Sequence, residues 1–336
     1  MKIFVPSTYR MRSRAITFHC PRIAVLAAFL FSLLSANELD AQEGIRAVVS
    51  LDEFVVSSAN EGFDVDEFIE KVKNDTTFYQ AFLNMRFYPH DIRGALTVYY
   101  KGEEAAERGS MQREAVQHLD SIQYMWVEIL SEDVQGRIRK RNGEWRYFTA
   151  EMYDEVFFPE KPRRVLPLIV KREQELQSGS RIEKHKSQIK RLMFNPGTEI
   201  ENVPFIGDRL AIFEDHMIPY YDYALFQARR GDKDCLAFSC ITKVGEEDNT
   251  VIRDLTSYFD PDTYHVLARE YRLAYSNLLL TFDIRMEVDN ALQQGILLPQ
   301  KVKYDGFWNV PLRKAEIIRF EMTCDGYDTG VMPLRE

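Results

Sequence analysis

The chain has 336 residues, of which 45% are hydrophobic and 28% are charged, and its formal net charge at pH 7 is −9. This length allows one large domain or two modest ones with a sizeable core, and the composition is that of a globular protein. The acidic balance argues against nucleic acid as a partner.

The first 41 residues have the pattern of a secretory signal peptide. Basic residues within 2–22 precede an uncharged apolar run at 23–34, which is shorter than the roughly 20 residues that span a bilayer. Small residues follow, and we predict cleavage after Ala41, with an uncleaved anchor as the alternative and Met11 as an alternative start. Since no later segment is long and apolar enough to cross a membrane, we predict an exported protein that is periplasmic or associated with the outer membrane.

Cysteine positions bear on lipid attachment and on disulfides. Cys20 lies before the apolar run, so we do not expect a lipoprotein. Cleavage leaves Cys235, Cys240 and Cys324, and an odd number leaves at least one thiol free. Cys235 and Cys240 point to opposite faces of a predicted strand, which disfavours a bridge between them. Core thiols are our expectation, and a bridge from either to Cys324 is the alternative.

Two short amphipathic helices are predicted to come first in the mature chain. Asp64, with Glu67 three residues later, forms a capping-box pattern ahead of an apolar stripe. A second helix starts after Asp75, where Phe78 and Phe82 recur at helical spacing.

Strands are predicted next. Apolar residues alternate along 95–100 and 125–129, and Asn142-Gly143 predicts a hairpin turn. Residues 151–158 favour one or two helical turns before Pro159.

Residues 159–205 differ from the rest because five prolines interrupt them. We interpret this stretch as a helical insertion within a single domain of residues 42–336. Ten Lys or Arg against three Glu make residues 161–192 basic. Contact with an anionic membrane surface or an acidic partner is one interpretation, and a solvated helix face is the ordinary one.

The last third predicts an antiparallel meander with one apolar and one polar face. Residues 278–288 alternate strictly between apolar and polar side chains, and similar strands follow turns predicted at Gly295, Asp305-Gly306 and Pro311. Pro299 predicts a strand start or an edge. Because the apolar face must be covered, we predict an α+β fold in which helices pack on that face.

No motif predicts catalysis. There is no GxSxG, HExxH, CxxC or glycine-rich phosphate loop, so we assign no catalytic residue, no metal ligand and no cofactor. Glu214-Asp215-His216 and Asp260-Pro261-Asp262 are the best polar clusters, and each is more typical of a solvated turn. A hydrolase site assembled only in the fold stays open.

The segment DPDTYHVLAREYRLAYSNLLLTFDIRMEVDNALQQGILLPQKVKYDG, residues 260–306, resembles the closing hairpins of the periplasmic lipoprotein-carrier and lipoprotein-localisation superfamily. The resemblance covers roughly residues 219–323, and residues 159–205 have no counterpart. It implies an unclosed, strongly curved antiparallel half-barrel, with helices across its concave face and a cavity that holds acyl chains. The whole chain also resembles uncharacterised exported proteins of Gram-negative bacteria.

These observations give three functional hypotheses. The first is an exported, non-catalytic envelope protein that binds a lipid or lipoprotein acyl chain between sheet and helices. The second is an envelope scaffold or interaction protein with a solid core, and the third is the hydrolase. Oligomeric state and ligand identity stay open. The candidate ligand-binding residues are Phe78, Phe82, Leu280, Phe282, Ile284, Met286, Ile318 and Phe320.

Overall fold

A computed structural model gives the fold. The described parts of the chain are residues 48–51, 62–100, 106–165, 193–194, 196–197, 208–277, 281–309 and 315–330. All of them belong to one compact unit, Gly44–Glu336. The predicted signal peptide at 1–41, most of the predicted insertion at 159–205, and Leu280 lie outside the described residues.

The described residues form three α-helices and twelve β-strands. The helices are α1 (Val65–Lys73), α2 (Thr77–Met85) and α3 (Phe148–Phe157). The strands are β1 (Val49–Leu51), β2 (His90–Tyr99), β3 (Glu107–Leu119), β4 (Tyr124–Gly136), β5 (Arg163–Arg164), β6 (Tyr221–Arg230), β7 (Lys233–Thr242), β8 (Ile252–Phe259), β9 (Val266–Ser276), β10 (Thr281–Gln293), β11 (Ile296–Asn309) and β12 (Glu316–Asp325). None of the described helices has the length and apolar character needed to cross a membrane.

All twelve strands belong to one sheet, in the order β1-β6-β7-β8-β9-β10-β11-β12-β2-β3-β4-β5. Neighbouring strands are antiparallel, except that β1 runs parallel to β6. Since β1 and β5 lie at opposite ends of this order, the described sheet is open. The predicted α+β fold, a curved antiparallel sheet with helices on its apolar face, is confirmed.

Strand β10 shows why the sheet has two different faces. Phe282, Ile284, Met286 and Val288 are buried on one side, and Arg285 is exposed on the other. Period-two alternation therefore places the apolar side chains against the helices. The predicted alternation is confirmed for residues 281–288.

Helices α1 and α2 form where the capping signals predict them. The Asp64 carboxylate accepts hydrogen bonds from the backbone N–H groups of Asp66 (3.0 Å) and Glu67 (2.9 Å). Asp75 similarly accepts from the N–H of Thr77 at 2.8 Å. Each carboxylate satisfies N–H groups that have no partner within the helix.

Helix α3 is capped by a residue far away in sequence. The buried Glu316 carboxylate, at the start of β12, accepts from the N–H groups of Phe148 (3.0 Å) and Thr149 (2.9 Å). The predicted helical turns at 151–158 are thus part of a helix that begins earlier, at Phe148.

Strand β11 corrects one prediction and decides between the two alternatives of another. It runs unbroken from Ile296 to Asn309, so the turn predicted at Asp305-Gly306 is wrong. The Tyr304 ring lies over Gly306, where a Cβ atom would overlap it, so the glycine permits a close approach. Pro299 lies inside the strand, not at its start, opposite Asn290 at a register shift. Its other side is a local edge, because the ladder with β12 begins at Lys301.

The turn at Asn142-Gly143 is present, and Gly143 has a φ of 86°. It does not join two long strands, because β4 ends at Gly136 and only an isolated bridge links Arg139 to Trp145.

Cys235, Cys240 and Cys324 are free and buried, so the expectation of core thiols is confirmed. Burial raises the pKa of the Cys324 thiol to about 12, which makes it a poor nucleophile at neutral pH.

Candidate functional site

Seven of the eight candidate residues lie in one apolar cluster between the sheet and the helices. They are Phe78 and Phe82 on α2, Phe282, Ile284 and Met286 on β10, and Ile318 and Phe320 on β12. Each is at most 4% exposed. The eighth, Leu280, lies outside the described residues. The fold therefore brings the seven side chains together, and their role in binding stays a prediction.

Helix α2 forms the cover over the middle of the sheet. The Phe78 ring meets the rings of Phe82 (5.6 Å between centroids) and Tyr271 (6.3 Å) edge to face. The Tyr271 hydroxyl lies 3.1 Å from the Met286 sulfur and donates to the carbonyl of Met193. Aromatic and thioether groups therefore line this part of the cluster.

Helix α3 forms the cover over β11 and β12. Phe320 stacks on Tyr304 with 4.8 Å between ring centroids. On its other side, the ring lies 4.4 Å from Tyr153 and 6.2 Å from Phe157. Burial raises the pKa of the Tyr304 hydroxyl well above its usual value, so that group stays neutral.

Phe194, from the predicted insertion, connects the aromatic side chains under α2 with those under α3. Phe194 packs against Phe82 of α2 at 4.8 Å and against Phe157 of α3 at 6.1 Å. It is 1% exposed. The ring thus fills the space between the two helices, and its own backbone, like that of Met193, is helical.

The two clefts that border the cluster among the described residues are small. A cleft of about 40 Å³ lies between the C-terminal ends of α2 and α3, and another of about 20 Å³ is lined by Asp75 and Arg269. Sites for drug-sized ligands commonly enclose roughly 300 Å³ or more. An apolar ligand of that size therefore needs a side chain of the cluster to move.

No protein-family model matches the chain, and no curated protein matches it. The solved structures that are similar to it include three of low sequence identity. A DUF1329 family protein from Desulfovibrio piger is 12% identical, with a TM-score of 0.24, and the match covers 76% of this chain and 93% of that one. A putative outer membrane lipoprotein-sorting protein domain from Vibrio parahaemolyticus is 8% identical, with a TM-score of 0.25, and the match covers 79% and 93%.

The third is a structure of lipid–protein interactions in lipovitellin, 7% identical, with a TM-score of 0.27. That match covers 74% of this chain and 26% of lipovitellin. At these identities and TM-scores, none of the three assigns a role to a residue of this chain.

Buried charge lies beside the cluster. The Arg269 guanidinium donates to the carboxylate of Asp75 at 2.9 Å and to the hydroxyl of Ser257 at 2.8 Å. It also lies 4.4 Å from the centre of the Phe78 ring. Burial lowers the pKa of Arg269, and Asp75 compensates its charge.

The His residues and the predicted polar turns do not converge on one site, and His90 stacks on the cluster residue Tyr327 with 4.4 Å between ring centroids. Burial lowers the pKa of His90 to about 4, so its ring is neutral at pH 7. His118 contacts Glu128 at 2.9 Å on an exposed strand. The exposed segment 214–216 and the Asp260 turn, whose carboxylate accepts backbone N–H groups, fit the predicted solvated turns. Within the described ranges, no group of His, Cys, Asp and Glu has a metal-binding arrangement.

Several residues of the cluster were missed from sequence. Phe157 follows Tyr153 by four residues, which is the spacing of neighbours on one helix face. Tyr271 occupies an inward position of β9. Those signals were available. Phe194 follows the helical spacing predicted for the insertion, but nothing in that spacing indicates that its side chain reaches the cluster.

Proposed function

We propose that the protein binds an apolar ligand of the acyl type, without catalysis, between the sheet and the helices. The observation that carries this proposal is the position of Phe194 between Phe82 and Phe157. A ring supplied by a connecting segment occupies the place that an acyl chain would take. Its departure would leave an apolar space, and such a space stays dry and accepts an apolar guest.

The side chains that line the proposed site are suited to an acyl chain. Phe320 and Met286 present only carbon and sulfur to the interior, and a thioether adapts to varied shapes. The resemblance of residues 260–306 to lipoprotein-carrier proteins agrees with an acyl ligand. The candidate residues Phe78, Phe82, Leu280, Phe282, Ile284, Met286, Ile318 and Phe320 are the ones we propose to contact it.

A second function is favoured by the packing itself. The seven described candidates are at most 4% exposed, as in the interior of a protein that only needs a stable core. In that case the protein is an envelope scaffold, and its partner binds elsewhere.

The proposed location follows from the N-terminal pattern. We propose export, removal of residues 1–41, and a periplasmic or outer-membrane-associated mature protein. N-terminal sequencing of the envelope fraction should begin near Gln42. The basic residues of 161–192 would allow peripheral contact with an anionic membrane, which predicts co-sedimentation with anionic but not with neutral vesicles.

The test of the proposed function is titration of a fluorescent fatty acid with the mature protein. We expect micromolar binding at about one ligand per chain. Met286→Trp places a large ring in the proposed site and should weaken binding, whereas Leu225→Trp, in the buried part of β6, should not. Thermal unfolding of both variants checks that they are folded. No binding by the folded wild-type protein would contradict the proposal and leave the scaffold function.

A further inference from the structure

The cleft between the C-terminal ends of α2 and α3 combines positive charge with an apolar inner wall. Arg86, which caps α2, and Arg163 on β5 lie along it, together with Phe82 and Phe157. Those two phenylalanines are the ones that hold the ring of Phe194. One pair of rings thus separates the arginines from the proposed acyl site.

Arg163 is held in place by helix α3. Its two terminal nitrogens donate to the backbone carbonyls of Glu155 (3.1 Å) and Val156 (3.4 Å). These carbonyls lie in the last turn of the helix, where a cation is favourable. The Nε–H group is buried and has no hydrogen-bond partner among the described residues. A guanidinium that lines the cleft therefore keeps one donor that no described acceptor satisfies.

The charges around Arg163 favour an anion. Burial and the positive charge of Arg86 lower the pKa of Arg163 to about 10, and the carboxylate of Glu155 offsets this only in part. Burial also lowers the pKa of Arg86, against a small opposing effect of Tyr79. Glu155 also lines the cleft, but it is exposed, so water screens its charge. An anion between the two arginines would relieve both desolvation and repulsion.

The small volume of the cleft favours a small anion. About 40 Å³ holds about three water-sized groups, since one water requires roughly 10–15 Å³ in this measure. A carboxylate has three heavy atoms and a phosphate has five. We propose that Arg86 and Arg163 bind the carboxylate of a fatty acid whose chain passes between Phe82 and Phe157 into the apolar cluster. This assignment rests on the proposed acyl-binding function.

The experiment compares dodecanoate with dodecan-1-ol, which has the same chain but no charge, by isothermal titration of the mature protein. We expect dodecanoate to bind about tenfold more tightly, in line with one charge-assisted hydrogen bond. In Arg163→Gln, dodecanoate and dodecan-1-ol should bind with equal affinity. In Arg163→Lys, dodecanoate should still bind more tightly than the alcohol, by less than tenfold. Arg319→Gln, which removes an exposed guanidinium from the outer face of β12, should leave the difference unchanged.

The pKa of the ligand gives a second measurement. In ¹³C-carboxyl-labelled dodecanoate, the bound carboxyl should titrate below its value in water, and Arg163→Gln should raise that pKa. Equal binding of acid and alcohol by the wild-type protein would overturn the carboxylate site and leave acyl binding intact. Binding of neither would overturn acyl binding itself. Acetate binding as tight as that of dodecanoate would overturn the acyl identity of the anion.

Discussion

The carboxylate of Asp75 and the guanidinium of Arg269 form a buried ion pair of 2.9 Å that ties the start of α2 to β9. The two side chains are 4% and 7% exposed. Asp75, which precedes the N-cap residue Thr76, also accepts from the N–H of Thr77, the first residue of the helix. One carboxylate therefore orients the helix that covers the proposed site.

Removal of Arg269 should be strongly destabilising. Arg269→Met leaves the Asp75 carboxylate buried without its partner, and we expect a loss of about 3–5 kcal/mol in the free energy of unfolding. Arg272→Met, which breaks the exposed pair with Asp283, should cost at most about 1 kcal/mol. Denaturant unfolding of both variants measures the contrast, and equal losses would show that burial of the Asp75 pair has no special effect.

The two faces of β10 should respond differently to truncation. Phe282 is 2% exposed and its ring packs on Trp308 at 5.0 Å, so Phe282→Ala should cost about 3–5 kcal/mol. Asp283 lies on the polar face in an exposed pair with Arg272, and Asp283→Ala should cost at most about 1 kcal/mol. Chemical denaturation measures the free energy of unfolding of both variants. Similar losses would contradict the assignment of the two faces of β10.

The cap that Glu316 provides to α3 predicts a long-range effect. Glu316→Ala leaves the N–H groups of Phe148 and Thr149 without their acceptor, and we expect a loss of about 1–3 kcal/mol. Glu321→Ala, which removes an exposed partner of Lys301, is the matched control and should cost less than about 1 kcal/mol. Hydrogen exchange of the first turn of α3 should accelerate only in Glu316→Ala. Unchanged exchange there would argue against the cap.

His90 predicts a loss of stability in mild acid. Its pKa is about 4 in the folded chain because it is buried, with the carbonyl of Tyr88 and the charge of Asp325 opposing the shift. In the unfolded chain the value is near 6.5. The unfolded chain therefore binds a proton first as the pH falls, and folding free energy is lost between about pH 6.5 and 4.

The loss assigned to His90 is about 2 kcal/mol between pH 7 and pH 5. His90→Gln should flatten the pH dependence of the unfolding free energy by that amount, and replacement of the exposed His216 by Gln should not. Urea titrations at the two pH values test this. If the free energy of unfolding of His90→Gln depends on pH as strongly as that of the wild type, groups other than His90 cause the dependence.

The parts of the fold that sequence predicts are those with a local period or a local cap. The alternation of Phe282, Ile284 and Met286 identified the apolar face, and Asp64 identified the start of α1. The turn predicted at Gly306 was wrong because a glycine that follows Asp is typical of a turn. The actual reason for the glycine, the ring of Tyr304 lying over the backbone, is a contact that depends on the fold.

The contacts that join distant segments of the chain are not indicated by any local period or capping pattern in the sequence. Glu316 and Thr149 are 167 residues apart, and Asp75 and Arg269 are 194 apart. A charged residue in a strand is predicted to face solvent unless its ion-pair or hydrogen-bond partner is known. The filling of the cluster by Phe194 was equally hidden, since whether an apolar face is filled or hollow depends on which side chains reach it.

The most direct test of the proposed function is the affinity of dodecanoate for Phe194→Ala, measured beside the wild-type protein and Phe238→Ala. Phe238 is buried in β7, beside Phe213 and Tyr223, so its truncation makes a cavity away from the proposed site. If Phe194 occupies the place of the acyl chain, Phe194→Ala removes the competitor and should bind about tenfold more tightly than wild type, while Phe238→Ala should not. Unchanged or weaker binding by folded Phe194→Ala would contradict the account.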